Sequence, residues 1–201
     1  MAKLRIAVLV SGRGSNLQSI IDASASGEIP AEIGVVVSDK EKAYALERAG
    51  KAGIRAEYVP EQKDRELHEK AIAKIIDEEK CGLVCLAGYM KLVTRYFVSK
   101  YSGRLMNIHP SLLPSFGGAH GQRDALAYGA KVSGCTVHFV DEGMDSGPII
   151  IQKVVTVEDN DTQDTLAARI LKEEHKAYPE AIRLFAEDKL RIKGRRVSIK
   201  G

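Results

Sequence analysis

The chain contains no tryptophan, only three cysteines, and no apolar run longer than a strand. Each shortage excludes something. Runs such as Ile6–Val10 and Gly82–Ala87 fall far short of the ~20 residues a membrane-crossing helix needs, so no membrane partner is expected. Cys81, Cys85 and Cys135 are too few, and odd in number, for a disulfide framework. Cys81 and Cys85 flank a strand-like stretch with no second pair to complete a zinc site, so no metal is expected. The three read as reduced core thiols in the cytoplasm. Charge of one sign is also scarce: 30 Lys and Arg against 27 Asp and Glu leave a formal net charge of +3. No strong global field draws in nucleic acid or an anionic lipid surface. Met1–Lys3 leads straight into a strand, without the apolar core or cleavage site of a signal peptide.

What is present suits one sizeable core. Hydrophobic residues make up 44% of the 201 positions and charged residues 28%, which is ordinary globular composition. One domain over residues 1–201 is expected, because no linker, repeat or low-complexity tract interrupts the chain.

As far as about Ile108, short β-branched runs alternate with longer amphipathic stretches. Leu4–Val10, Ile33–Val37, Arg55–Val59, Leu83–Leu86 and Arg104–Asn107 read as strands buried on both faces. Asn16–Ser24, Lys42–Ala52, Asp64–Glu79 and Val93–Tyr101 read as the helices between them. This βα alternation predicts an α/β fold, a doubly wound and mostly parallel twisted sheet with ligands gathered at the carboxyl ends of its strands. Pro110–Gly118 is irregular, Cys135–Val140 and Ile149–Val157 are strands around a turn at Asp141–Pro148, and Thr162–Phe185 is a long helix. Leu190–Ile199 alternates apolar and basic residues around Gly194, which predicts a C-terminal β-hairpin.

Three segments carry chemistry. Ser11-Gly12-Arg13-Gly14-Ser15-Asn16 follows the first strand and opens a helix, where backbone N–H groups and the helix dipole favour an anion. Ser15 and Asn16 are good N-capping types. An ordinary tight turn is the plainer reading of this loop, and a nicotinamide-cofactor reading draws on Asp39 after the second strand. That fingerprint needs a third glycine where Leu17 stands, so a monophosphate cradle fits better. In Asn107-Ile108-His109-Pro110-Ser111-Leu112-Leu113-Pro114, at the carboxyl end of a buried strand, residues two apart in the extended part share a face, so Asn107 and His109 point into one cleft. An amide that can hold a developing oxyanion beside an imidazole that moves protons near neutral pH suits acyl-group chemistry. In Asp141–Pro148, Asp145 is either a simple turn residue or a carboxylate orienting His109, and spacing alone leaves both open. The basic residues of the final hairpin suggest a nucleic-acid patch, although their alternation with Leu190, Ile192, Val197 and Ile199 favours a solvated strand face.

Taken with Cys135–Val140, these motifs resemble the folate-dependent formyltransferases, over essentially the whole chain and in the same order. The resemblance implies a Rossmann-like formyltransferase fold and a formyl transferase that uses 10-formyltetrahydrofolate as cosubstrate and no metal. It implies glycinamide ribonucleotide as the acceptor, in de novo purine biosynthesis, with small-molecule substrates and no nucleic acid; a homodimer stays open. It also implies residue roles. Asn107, His109 and Asp145 match the family's catalytic residues. Arg13, Gly14, Ser15 and Asn16, with Glu174 of the late helix, match the acceptor site. Arg65, Met90, Lys91, Leu92, Val93, Val140 and Asp141 match the folate pocket. Two departures stand out: Lys91 replaces a common arginine, and the loop Phe116-Gly117-Gly118-Ala119-His120-Gly121 has glycine where many relatives carry proline or lysine. Among relatives, formyltetrahydrofolate deformylases add an N-terminal domain and usually carry a second histidine at the position of Pro110. Methionyl-tRNA formyltransferases add a C-terminal domain, and neither addition is expected here.

Overall fold

A computed structural model describes residues 3–200. Met1, Ala2 and Gly201, which the expected domain range and the expected start of the chain include, lie outside the described residues. Nine strands form one sheet in the order β3-β2-β1-β4-β5-β6-β7-β9-β8. Its first part is parallel: β1 (Leu4–Val10), β2 (Ala31–Ser38), β3 (Ala56–Tyr58), β4 (Leu83–Leu86) and β5 (Leu105–His109). Helices α1 (Ser15–Ser26), α2 (Tyr44–Lys51), α3 (Arg65–Glu78) and α4 (Arg95–Lys100) make the crossovers. The order reverses at β1, which lies between β2 and β4, and a crevice opens where the flanking loops diverge.

Beyond β5 the pairing turns antiparallel, through β6 (Val132–Phe139) and β7 (Ile149–Thr156). The expected C-terminal hairpin is present as β8 (Leu190–Lys193) and β9 (Arg196–Ile199), and Gly194 at its turn has φ 57. One element falls where no helix was expected: α5 (Gly121–Tyr128). It is short and buries little beyond Ala125, so its apolar signal is too weak to read against the glycine-rich loop before it.

Side-chain alternation sorts the core into two layers. Ile6, Val8 and Val10 of β1 join Leu17 and Ile20 of α1 and Ile170 and Ala177 of α6 (Gln163–Ala186) on one face of the sheet. Ala7, Leu9, Val84 and Leu105 join Ile72 and Ile76 of α3 and Phe97 of α4 on the other. The buried hydroxyl of Tyr178 in α6 lies 3.0 Å from the Leu86 carbonyl and 3.1 Å from that of Met106, tying the long helix to the ends of β4 and β5. Met106 and Ile108 face α6, as do Cys135, Val137 and Phe139 of β6. Asn107, His109, Thr136 and His138 therefore face the opposite side, and there the loops after β5 and β6 fold over them.

Candidate active site

The loop after β1 is shaped by a glycine. Gly14 has φ 69, and a Cβ there would sit 2.6 Å from the Ala45 Cβ, so neither the backbone conformation nor the space admits a side chain. Gly14 is also the N-cap of α1, with Ser15 and Asn16 already in the first turn. This corrects the capping expected of those two side chains: no side chain caps the helix, so its first N–H groups have no side-chain acceptor at the cap. The Gly12 carbonyl accepts from the Ala45 N–H at 3.1 Å and the Arg13 carbonyl from Arg48 Nε at 2.9 Å, so α2 braces the loop from behind. Asn16 turns inward. Its Nδ2 donates to Glu174 Oε2 at 2.7 Å across 158 residues of sequence, which joins the start of α1 to α6. Burial pushes the Glu174 carboxyl above its ordinary range, against the downward pull of the Asn16 amide and of His109. A groove of about 400 Å³ adjoins this corner, between Ser15 on α1 and His175 on α6.

The loop after β4 lies directly beside it. Ser11 N–H donates to the Gly88 carbonyl at 3.0 Å, and Ser11 Oγ accepts from the Met90 N–H at 2.9 Å. Helix α3 clamps the same loop from the far side. His68 donates from Nδ1 to the Pro60 carbonyl and accepts the Tyr89 hydroxyl at Nε2, each at 3.0 Å. Buried Glu69 accepts both the N–H of Thr94, at 2.7 Å, and its hydroxyl. Arg65 donates to the Leu92 carbonyl, and Lys91 pairs with Glu61. Met90 and Leu92 are left 77% and 58% exposed, an apolar rim on a loop held rigidly underneath. Val93 and Val140 pack against the same core layer as Tyr89. Arg95 and Glu142 form a two-point pair at 2.9 and 2.7 Å, which joins the loop after β6 to α4. Asp141 takes no part in that bridge: its Oδ1 accepts Ser146 Oγ at 2.6 Å and the Gly143 N–H at 3.1 Å, fixing the turn.

Asn107, His109 and Asp145 come together between these loops. Asp145 holds an uncommon φ of 49. Its Oδ2 accepts the Gly118 N–H at 2.8 Å and faces His109 Nδ1 at 3.4 Å. The other ring nitrogen of His109 donates to the Phe116 carbonyl at 3.1 Å. The imidazole thus points at Asp145 and at the glycine-rich loop, with acceptors at both nitrogens. A fourth residue completes the cluster. His138, opposite Asn107 in the antiparallel ladder, has Nε2 3.3 Å from Asn107 Nδ2 and 3.9 Å from Asp145 Oδ1. Among the described residues, no group of three or more His, Cys, Asp or Glu side chains is arranged to hold a metal ion.

A model of the formyl transferase family matches residues 4–182. The chain belongs to the formyl transferase family. It is 42% identical over 191 residues to the phosphoribosylglycinamide formyltransferase of Escherichia coli K12, covering 94% of this chain and 90% of that protein. It is 43% identical to the trifunctional purine biosynthetic protein adenosine-3 of Bos taurus, covering 94% of this chain but 19% of that much longer protein. The chain thus spans a fifth or less of the length of the trifunctional relatives it matches. Glycinamide ribonucleotide transformylase 1 from Symbiobacterium toebii superposes with a TM-score of 0.98 at 50% identity, over 100% of this chain and 95% of that one.

In this formyl transferase the acid that a nicotinamide-cofactor reading would offer to a ribose is out of reach. The Asp39 side chain is 0% exposed, and Leu17 belongs to the core. The sequence reading missed His138, which looks like one polar residue inside an apolar strand. Its position opposite Asn107 depends on an antiparallel register that no local pattern carries.

Proposed function

We propose that the chain transfers the formyl group of 10-formyltetrahydrofolate to the amine of glycinamide ribonucleotide, a step of de novo purine biosynthesis. The observation that carries the reading is the convergence of Asn107, His109 and Asp145 between an anion-ready helix start and a rigid, apolar-rimmed loop. Gly14, Ser15 and Asn16 would hold the acceptor's phosphate through backbone N–H groups, with Arg13 at the rim and Glu174 at the acceptor's polar groups. The loops bearing Arg65, Met90, Lys91, Leu92, Val93, Val140 and Asp141 would hold the folate. With Met90 and Leu92 exposed, they offer apolar contact for a planar ring. The folate supplies the electrophilic formyl carbon.

Chemically, the acceptor nitrogen bonds to that carbon, the bond to the donor nitrogen breaks, and one proton passes from the first nitrogen to the second. Asn107 donates an N–H to the formyl oxygen as it gains negative charge. His109, with an acceptor facing each ring nitrogen, adds a second N–H contact there once the substrate replaces the Phe116 carbonyl. Asp145 holds that ring through Nδ1 and, at the crevice, is placed to relay the departing proton. We read residues 1–201 as one domain acting on small molecules in the cytoplasm, a reading with which a homodimer is compatible.

The test follows folate product by absorbance, with and without glycinamide ribonucleotide. Product that forms only with the acceptor supports transfer; product without it would mean hydrolysis of the donor. Asn107→Ala is expected to lower turnover on the order of 100- to 1000-fold in a folded protein. Near-normal turnover of that variant would sink the assignment of Asn107.

A further inference from the structure

We infer that His138 is a positioning residue for Asn107: by accepting one amide N–H it decides which way the side-chain amide faces and leaves the second N–H for the reacting oxygen. The inference rests on the formyl-transfer reading and adds to it a residue that touches no substrate.

A backbone contact fixes the tautomer of His138. His138 Nδ1 lies 2.8 Å from the Phe139 carbonyl, which can only accept, so Nδ1 carries the proton. In the neutral ring Nε2 is then a lone pair, and it faces Asn107 Nδ2 at 3.3 Å. An asparagine amide offers donors on one arm and an acceptor on the other. With the amide turned over, its oxygen would face the Nε2 lone pair, two acceptors in contact. The locked ring therefore selects the rotamer that presents nitrogen to His138. Of the two N–H groups on that nitrogen, one is used and one remains. Protonation of His138 would reverse the selection, because Nε2–H would then call for the amide oxygen. Several features bear on its charge. Burial pushes its pKa down, as does His109, while the Phe139 carbonyl, Asp145 and Asp141 act the other way. The side chain is 2% exposed.

Two measurements test this, one of which needs no turnover. Nitrogen-15 NMR of histidine-labelled protein near neutral pH should assign His138 as neutral with the proton on Nδ1. A ring protonated on Nε2 alone, or on both nitrogens, overturns the inference even if formyl transfer is demonstrated. The second is kinetic. His138→Gln places an amide oxygen near the Nε2 locus and keeps the acceptor, whereas His138→Asn keeps only a donor near the Nδ1 locus. His138→Gln should stay within about tenfold of the parent kcat. His138→Asn should fall on the order of 100-fold with KM little changed, as expected for a lost oxyanion contact. Combining His138→Asn with Asn107→Ala should cost no more than Asn107→Ala alone. Equal losses in the Gln and Asn variants, or losses that multiply with Asn107→Ala, would show the ring acting by itself and end the proposal. Absence of formyl transfer in the parent enzyme would defeat the functional reading instead, leaving the tautomer measurement to decide the geometry.

Discussion

Asp145→Asn isolates charge from shape. The Asp145 Oδ2 position accepts the Gly118 N–H at 2.8 Å and faces His109 Nδ1 at 3.4 Å, and an amide oxygen can occupy it and serve both. What disappears is the negative charge. The two side chains are 6% and 15% exposed, so solvent screens the pair only partly. With an effective dielectric of ~20, that carboxylate would attract a unit positive charge developing on the ring in the transition state by about 5 kcal/mol. Some of this is already offset by desolvation of the carboxylate, which the amide avoids, so about 3 to 4 kcal/mol of transition-state stabilisation should be lost. At about 1.4 kcal/mol per decade, kcat should fall on the order of 100- to 1000-fold. KM for both substrates should move little, since the amide oxygen keeps the Gly118 contact that holds the loop after β6 in place. The assay is initial-rate absorbance of folate product at saturating acceptor, with melting temperature measured in parallel. A folded variant within about threefold of the parent kcat refutes the idea that a carboxylate must face His109.

Three further outcomes follow from the same geometry. Gly14→Ala meets both a left-handed backbone and a Cβ contact at 2.6 Å, so it should lower the melting temperature by several degrees and raise the KM for glycinamide ribonucleotide about tenfold or more. Tyr178→Phe removes a buried hydroxyl that serves the Leu86 and Met106 carbonyls; a loss of about 1 to 3 kcal/mol is expected, read as the denaturant midpoint at unchanged slope. Burial raises the Glu174 carboxyl above its usual 4.5, so the folded state holds that proton more tightly than the unfolded chain. Its contribution is complete below about pH 4.5 and is lost as pH rises through the raised value. Glu174→Gln, whose amide oxygen can still accept from Asn16, should therefore melt like the parent near pH 4 and above it near pH 8, while binding the acceptor less tightly. A parent more stable than the variant at the higher pH would contradict the buried-acid account.

Local rules were enough for part of this. The period-two pattern put Asn107 and His109 on one face, and the structure has them there, because strand alternation is independent of what packs outside. The turn that opens α1 was also legible, although its cap was not: Ser15 and Asn16 have capping chemistry, yet Gly14, where a Cβ would meet Ala45, takes the cap position. The orientation of Asp145 was beyond reach of spacing. It depends on a left-handed residue in one turn meeting an N–H of another, at Gly118. The residues proposed for the folate side are a similar case. Arg65 and Leu92 meet only because α3 packs beside the loop after β4, and pairings between elements leave no periodic trace in either.

The change of strand direction at β5 explains why the polar cluster sits where it does. In the parallel part of the sheet, crossover helices bury both faces, and both faces are apolar. From β5 onward the antiparallel hairpin of β6 and β7 needs no helical crossover, so α6 covers one face and loops cover the other. A face covered by loops can hold polar side chains, since loop carbonyls and N–H groups satisfy them. The Phe116 carbonyl does so for His109, the Gly118 N–H for Asp145, and the Leu113 N–H and Ser111 carbonyl for Thr136. Antiparallel register then puts His138 directly opposite Asn107, and the turn that follows β6 is free to carry Asp145 back over them. A parallel β6 would demand a crossover helix on the loop-covered face, and that helix would occupy the space in which the proposed transfer would bring a formyl donor and an acceptor amine together.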